Sequence, residues 1–129
     1  MTTIVPFSGI RYSLGSASTP ADLISPPYDK ISSEERKRLW NRHPQNVVRL
    51  ILPPPSDQET DVMTQSLDNE SADWYQEAAQ RLQQWQSQGI LIQDEACFYI
   101  YQQSFIYKDQ PYTRQGLFVA LRLEDNTGP

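Results

Sequence analysis

The chain has 129 residues, a net charge of −5 and 38% hydrophobic against 21% charged residues. That size and balance suit one folded domain with its own core and exclude a wholly disordered chain. One cysteine excludes an internal disulfide and a cysteine-built zinc site, one histidine excludes a two-histidine metal site, and no apolar run approaches the ~18 residues of a membrane span.

A sequence pI near 4.7 argues against nucleic acid as a partner, because binding phosphate backbones needs net positive charge at the contact. A local basic pocket for a small anion is compatible with it. The first residues, "MTTIVPFSGIRY", lack the charged-then-apolar layout of a signal peptide. A cytoplasmic protein is expected.

In chain order, "TIVPFSGI" reads as a short edge strand broken by Pro6. Residues 13–22 are small and polar and read as a loop. "LISPPYDKIS" follows. Pro26 and Pro27 fix φ and extend the residues before them, and a helix signal begins at once. Ser32 and Glu35 have capping-box spacing, so a helix is predicted through "SEERKRLWNR", with Leu39 and Trp40 as its buried contact and Pro44 as its stop. "NVVRLIL", 46–52, is β-branched and apolar and reads as a strand. Residues 56–70 carry five carboxylates and read as a mobile acidic loop.

In "SADWYQEAAQRLQQWQSQG", Trp74, Ala78, Leu82 and Trp85 recur at helical spacing, with Tyr75 and Ala79 widening the stripe and Gly89 closing the helix. "ILIQDE" is a brief strand. "CFYIYQQSFIYKDQPYTRQGLFVALRLED" reads as a hairpin turning at "KDQP", with Gly116 marking a bulge or a close backbone approach. Its first strand is apolar on both faces, which suits a sheet interior. The expected fold is α+β: two main helices packed on one mixed or antiparallel sheet of about five strands, in a single domain over 1–129.

The stretches "VPFSGIRY", "ISPPYDKIS", "HPQNVVRLILP", "YQEAAQRLQQWQSQGIL", "FYIYQQSF" and "TRQGLFVALRLED" resemble, in order, the bacterial and archaeal family known as domain of unknown function 1015. "PPYD" and "RQGL" are its most specific pieces. The resemblance implies an uncharacterised protein, of which this chain is an N-terminal fragment. It also implies a downstream His-Glu motif. Some members carry a ParB-like label, and the wider ParB and sulfiredoxin-like group includes nucleotide users. The resemblance therefore implies a nucleotide-dependent or phosphorylated-ligand enzyme when full length, or alternatively a ParB-like binding or regulatory module for a protein or nucleic acid. No cofactor is assigned.

Asp29 is the candidate catalytic or ligand-binding acid, beside Tyr28; the plainer alternative is an Asx-turn that orders the start of the helix. Arg49 and Arg114 are candidate anion grips through bidentate guanidinium contacts, against the plainer reading of strand arginines with their heads in water. Gln102, inside an apolar strand, needs an amide partner, either the sheet or a ligand. The expected partner is a small anionic ligand, bound partly by downstream chain. His43 reads as a helix-end residue and Cys97 as an inert thiol.

Overall fold

The computed structural model describes residues 3–15, 19–55 and 71–123. The acidic stretch 56–70, expected to be a mobile loop, lies outside the described residues. Contacts gather the chain into two compact units: a helical unit, Tyr12–Ile92, and a hairpin unit made of Met1–Arg11 with Gln93–Pro129.

Among the described residues the helical unit holds three α-helices: α1 over Ser33–Arg42, α2 over Val48–Ile51 and α3 over Ser71–Ser87. Ser32 caps α1 as its spacing predicts, its Oγ accepting from the Glu35 N–H at 3.2 Å. Gly89 follows α3 in the left-handed region, φ 71°. The expected stripe of α3 is narrower than its sequence implies. Trp85 is buried, Trp74, Ala78 and Leu82 are half-buried, and Tyr75 and Ala79 face solvent.

The expected strand over 46–52 is a correction: "VRLI" is the short helix α2, touching both α1 and α3. Tertiary bonds override β propensity here. Asn46, fully buried, accepts from the Val48 N–H through Oδ1 at 2.9 Å and donates through Nδ2 to the Asp22 and Ile24 carbonyls at 2.7 and 3.0 Å. The Val47 N–H donates to the Leu23 carbonyl. These bonds bend the chain into a turn where the apolar run alone reads as extended. Leu23, Leu39, Val48, Trp85 and Leu91 form the core beside them.

The single five-stranded sheet is also corrected. Strands pair only two by two among the described residues: β1 (Ile4–Val5) with β6 (Ala120–Leu121), β2 (Ile10–Tyr12) with β3 (Leu91–Gln93), and β4 (Tyr99–Tyr107) with β5 (Gln110–Phe118). The α+β class holds; the common sheet does not.

The hairpin β4–β5 turns on Lys108 and Asp109, both at positive φ (50° and 59°), the two-residue turn that matches strand twist. Its register runs unbroken from Tyr99↔Phe118 to Tyr107↔Gln110. Gly116 is therefore no bulge. It faces Tyr101, whose ring lies where a Cβ at 116 would stand, so the close-approach reading is the one that applies. The sheet-interior expectation for this strand is overturned: Ile100 is 77% exposed and Ile106 78%. None of the described apolar side chains of the hairpin unit is fully buried.

Candidate functional site

In the helical unit, two guanidinium groups gather at one indole. Arg49, on α2, donates through Nη2 to the Trp40 carbonyl at 2.6 Å. That carbonyl lies in the last turn of α1, which has no partner within its own helix. Arg81, on α3, donates through Nη1 to the Arg49 carbonyl at 2.6 Å and so serves the end of α2 in the same way. Each arginine thus has a structural task, which accounts for one N–H apiece.

The consequence is a juxtaposition of like charge. The Arg49 guanidinium lies 4.9 Å from the Trp40 ring centre and that of Arg81 lies 5.7 Å from it. Cation–π attraction to the indole offsets part of their repulsion. Among the described residues, no carboxylate pairs with either one. Burial first, and the Arg81 charge second, lower the Arg49 pKa from the ordinary guanidinium value. The Arg49 Nε–H is buried and has no hydrogen-bond partner among the described residues. Chemically, this is a set of donors with positive charge and no counterion among the described residues, which suits a small oxyanion.

Arg81 is absent from the sequence-derived candidates. Its signal was positional: it stands three residues after Ala78 and four before Trp85, inside the half-buried stripe of α3. An arginine on that stripe has to spend its head group on something.

Tyr28 and Asp29 lie in the same unit, on a 3₁₀ turn over Tyr28–Lys30 that follows Pro27. The Lys30 N–H closes it on the Pro27 carbonyl at 2.9 Å. Tyr28 is 68% exposed and Asp29 is exposed. The Asp29 carboxylate accepts no hydrogen bond among the described residues, and the cap of α1 is Ser32. The loop before the corner is held from below by Asn46 through the Asp22 and Ile24 carbonyls. His43 contributes at the end of α1, its Nδ1 accepting from the Gln45 N–H at 3.1 Å.

Gln102 and Arg114 belong to the hairpin unit. Gln102 Oε1 accepts from Gln115 Nε2 at 3.0 Å, and Arg114 Nε donates to Gln103 Oε1 at 2.8 Å. Directly opposed residues share a face, so Arg114 lies with Gln103 on one face and Gln102 with Gln115 on the other. The hairpin therefore does not bring Gln102 and Arg114 together. Each has its partner across the ladder, and Arg114 also reaches over Phe105 at 6.0 Å.

The hairpin unit also holds an open concavity of about 360 Å³, walled by Phe7, Tyr99, Tyr101 and Phe118 with Arg11 at its edge. Its polar groups satisfy one another. Arg11 Nε donates to both Asp94 carboxylate oxygens at 2.9 and 3.0 Å, and the Tyr99 hydroxyl donates to Asp94 at 3.1 Å while accepting from the Gly9 N–H at 2.8 Å. The Arg11 bond, ahead of an opposing effect of burial, lowers the Asp94 pKa. The Tyr99 hydroxyl is pushed up to about 12, first by its bond to the Cys97 thiol, then by burial and Asp94. With Asp94 already on Arg11, this cavity offers aromatic surface more than charge.

Among the described residues, no group of three or more His, Cys, Asp or Glu side chains is placed to hold a metal ion, and no helix is long and apolar enough to cross a membrane. No curated protein and no solved structure matches this chain. Residues 4–128 match the family described as Protein of unknown function (DUF1015). The motifs at the proline corner, the tryptophan helix and the hairpin all fall within that match, and the chain belongs to this family.

Proposed function

We propose that the helical unit binds a small phosphorylated or otherwise oxyanionic ligand, with Arg49 and Arg81 as its cationic grip. The observation that carries this reading is the pair of guanidiniums over Trp40 with no carboxylate beside them among the described residues. Among the described residues neither arginine is compensated, and two such neighbouring charges are costly unless an anion joins them. A phosphate accepts several N–H bonds at once and carries the charge that the pair lacks. Asp29 and Tyr28, exposed on the proline corner, are proposed as further ligand contacts; in the full-length enzyme reading, Asp29 takes the role of the acid. Nucleotides fall within this ligand class.

Inorganic phosphate is the first probe. Titrated into the protein, it is expected to give a saturable change in tryptophan fluorescence, through Trp40, and a rise in Tm by mass action. Phosphate also stabilises proteins generically by exclusion from their surface, so the decisive comparison is Arg81→Gln. That variant should keep the shallow generic rise and lose the saturable part. An unsaturable response in the parent chain, or the same isotherm in the variant, would refute the reading.

The alternative, a ParB-like recognition module, is supported by the exposed aromatic hairpin and not by the charge of the chain. Arg114 on that hairpin is joined to Gln103, so it offers no arginine stripe of the kind a nucleic-acid surface presents.

A further inference from the structure

We propose that the outer edge of β4 is a dimer interface, pairing antiparallel with β4 of a second copy of this chain about a two-fold axis through Gln103. The argument starts from the register. A two-residue turn joins Tyr107 to Gln110, and those residues face each other. The closing pair of such a hairpin is hydrogen-bonded, and bonded and non-bonded pairs then alternate. Tyr99, Tyr101, Gln103, Phe105 and Tyr107 therefore spend their main-chain groups on β5. The N–H and C=O groups of Ile100, Gln102, Ser104 and Ile106 point outward, and among the described residues β4–β5 has only two strands.

The strand that presents this edge reads "YIYQQSFIY", and its chemistry is nearly the same in either direction. Antiparallel pairing about Gln103 sets Tyr99 against the partner's Tyr107 and Ile100 against the partner's Ile106. Tyr101 then meets the partner's Phe105, and Gln102 the partner's Ser104. Aromatic faces aromatic, aliphatic faces aliphatic and polar faces polar. A two-fold interface requires this kind of self-complementarity, because every contact occurs twice with the roles exchanged.

The hydrogen-bond phase agrees independently. In this register the bonded pairs across the axis join Ile100 to the partner's Ile106 and Gln102 to the partner's Ser104, all of them residues whose groups point outward. About eight main-chain bonds form across the axis. A register shifted by one residue would oppose outward groups to inward ones.

Two further observations favour a partner on this edge. Nothing blunts it: β4 contains no proline, no charge and no bulge, the usual protections of a free edge. The hairpin unit also has no fully buried apolar side chain among its described residues, and a lone two-stranded hairpin is marginal in water, whereas three or more strands with an apolar face are not. The opposite edge is protected. Pro111 stands at an outward position of β5 and has no N–H to offer, so the sheet ends at four strands and does not grow into a fibre.

The test is the solution mass of the 129-residue chain, followed by variants that touch one edge at a time. The expected mass at high micromolar concentration is twice 14.9 kDa. Ser104→Pro deletes an outward N–H of β4 and should give monomer. Thr113→Pro deletes an outward N–H of β5, and both variants lose the same Ser104–Thr113 side-chain bond of 3.2 Å. Thr113→Pro should remain dimeric. Gln103→Cys, made with Cys97→Ser, should form a disulfide-linked dimer on mild oxidation, because facing non-bonded pairs lie about 4.5 Å apart at Cα, inside disulfide range. Tyr101→Cys in the same background should not, since its symmetry mate stands roughly 13 Å along the strand. A monomer at all concentrations, a dimer lost with Thr113→Pro but not with Ser104→Pro, an open-ended aggregate, or equal cross-linking at 101 and 103 would each overturn the proposal.

Discussion

Asn46→Ala tests whether the proline corner is held by one buried amide. The Asn46 side chain makes three hydrogen bonds, to the Asp22 and Ile24 carbonyls and from the Val48 N–H, and is fully buried. At roughly 1 kcal/mol net for each bond the loss is about 3 kcal/mol, rising toward 5 kcal/mol if water cannot reach the stranded groups. On a chain of this length, that corresponds to a Tm lower by roughly 10 °C. All three tryptophans, Trp40, Trp74 and Trp85, lie in the helical unit, so fluorescence-monitored urea melts report on that unit. Asn46→Asp separates volume from bonding. It keeps the size and the acceptor for Val48, but turns an anion toward two carbonyls, so it should cost at least as much as alanine. The amides and peptide bonds of residues 20–27 should also lose protection against hydrogen exchange and protease. An alanine variant within 1 kcal/mol of the parent, or a well-tolerated aspartate, would refute the latch.

Trp85→Ala should destabilise the same transition by about 3–5 kcal/mol, because its ring is 5% exposed and leaves a cavity; a loss below 1 kcal/mol in urea would contradict that packing. Asp109→Gly should stabilise the hairpin by up to about 1 kcal/mol, because Asp109 sits at φ 59° where glycine pays no Cβ penalty, and faster exchange of the hairpin amides would count against it. In alkaline titration Tyr12, pushed up to about 12 by burial, and Tyr99, raised to about 12, should ionise late. Their folded values exceed the unfolded 10, so their stabilisation is full below pH 10 and is lost as pH rises toward 12. Tyrosinate absorbance should lose part of its late phase in Tyr12→Phe and in Tyr99→Phe; an unchanged late phase in both would reject the assignment.

The elements that rest on local rules were readable in the sequence. Ser32 caps α1, Gly89 closes α3, and the polar turn between β4 and β5 falls within "KDQP". Each depends on residues within a few positions of one another. The failures lie where the deciding partner is distant. "NVVRLIL" has strand composition, and its helix follows from Asn46 bonding to carbonyls 22 and 24 residues earlier in the chain. The sequence shows that β4 is apolar on both faces, but it is silent on whether anything covers those faces. Period reports amphipathicity, whereas burial depends on neighbours that no window contains.

The same distinction governs the candidate site. Arg49 was legible as an arginine inside an apolar run, and this is still its relevant property, although the run is a helix. A charged head that leaves an apolar segment must reach a carbonyl, an acid or a ligand. Its reach to the Trp40 carbonyl answers part of that demand, and the nearness of Arg81 raises it again, since the second guanidinium brings charge and no acceptor. Sequence spacing could not pair 49 with 81, because only the packing of α2 between α1 and α3 brings them to one ring. Asp29 differs. Its sequence reading left a turn-forming role and a presented acid both open, and Ser32 performs the capping that the first role needs. A carboxylate that accepts no hydrogen bond from the described residues contributes little to its own turn. Asp29→Asn should therefore leave the tryptophan melt within about 0.5 kcal/mol of the parent, the usual range for a surface change. A larger loss would return Asp29 to the turn and withdraw it as a ligand contact.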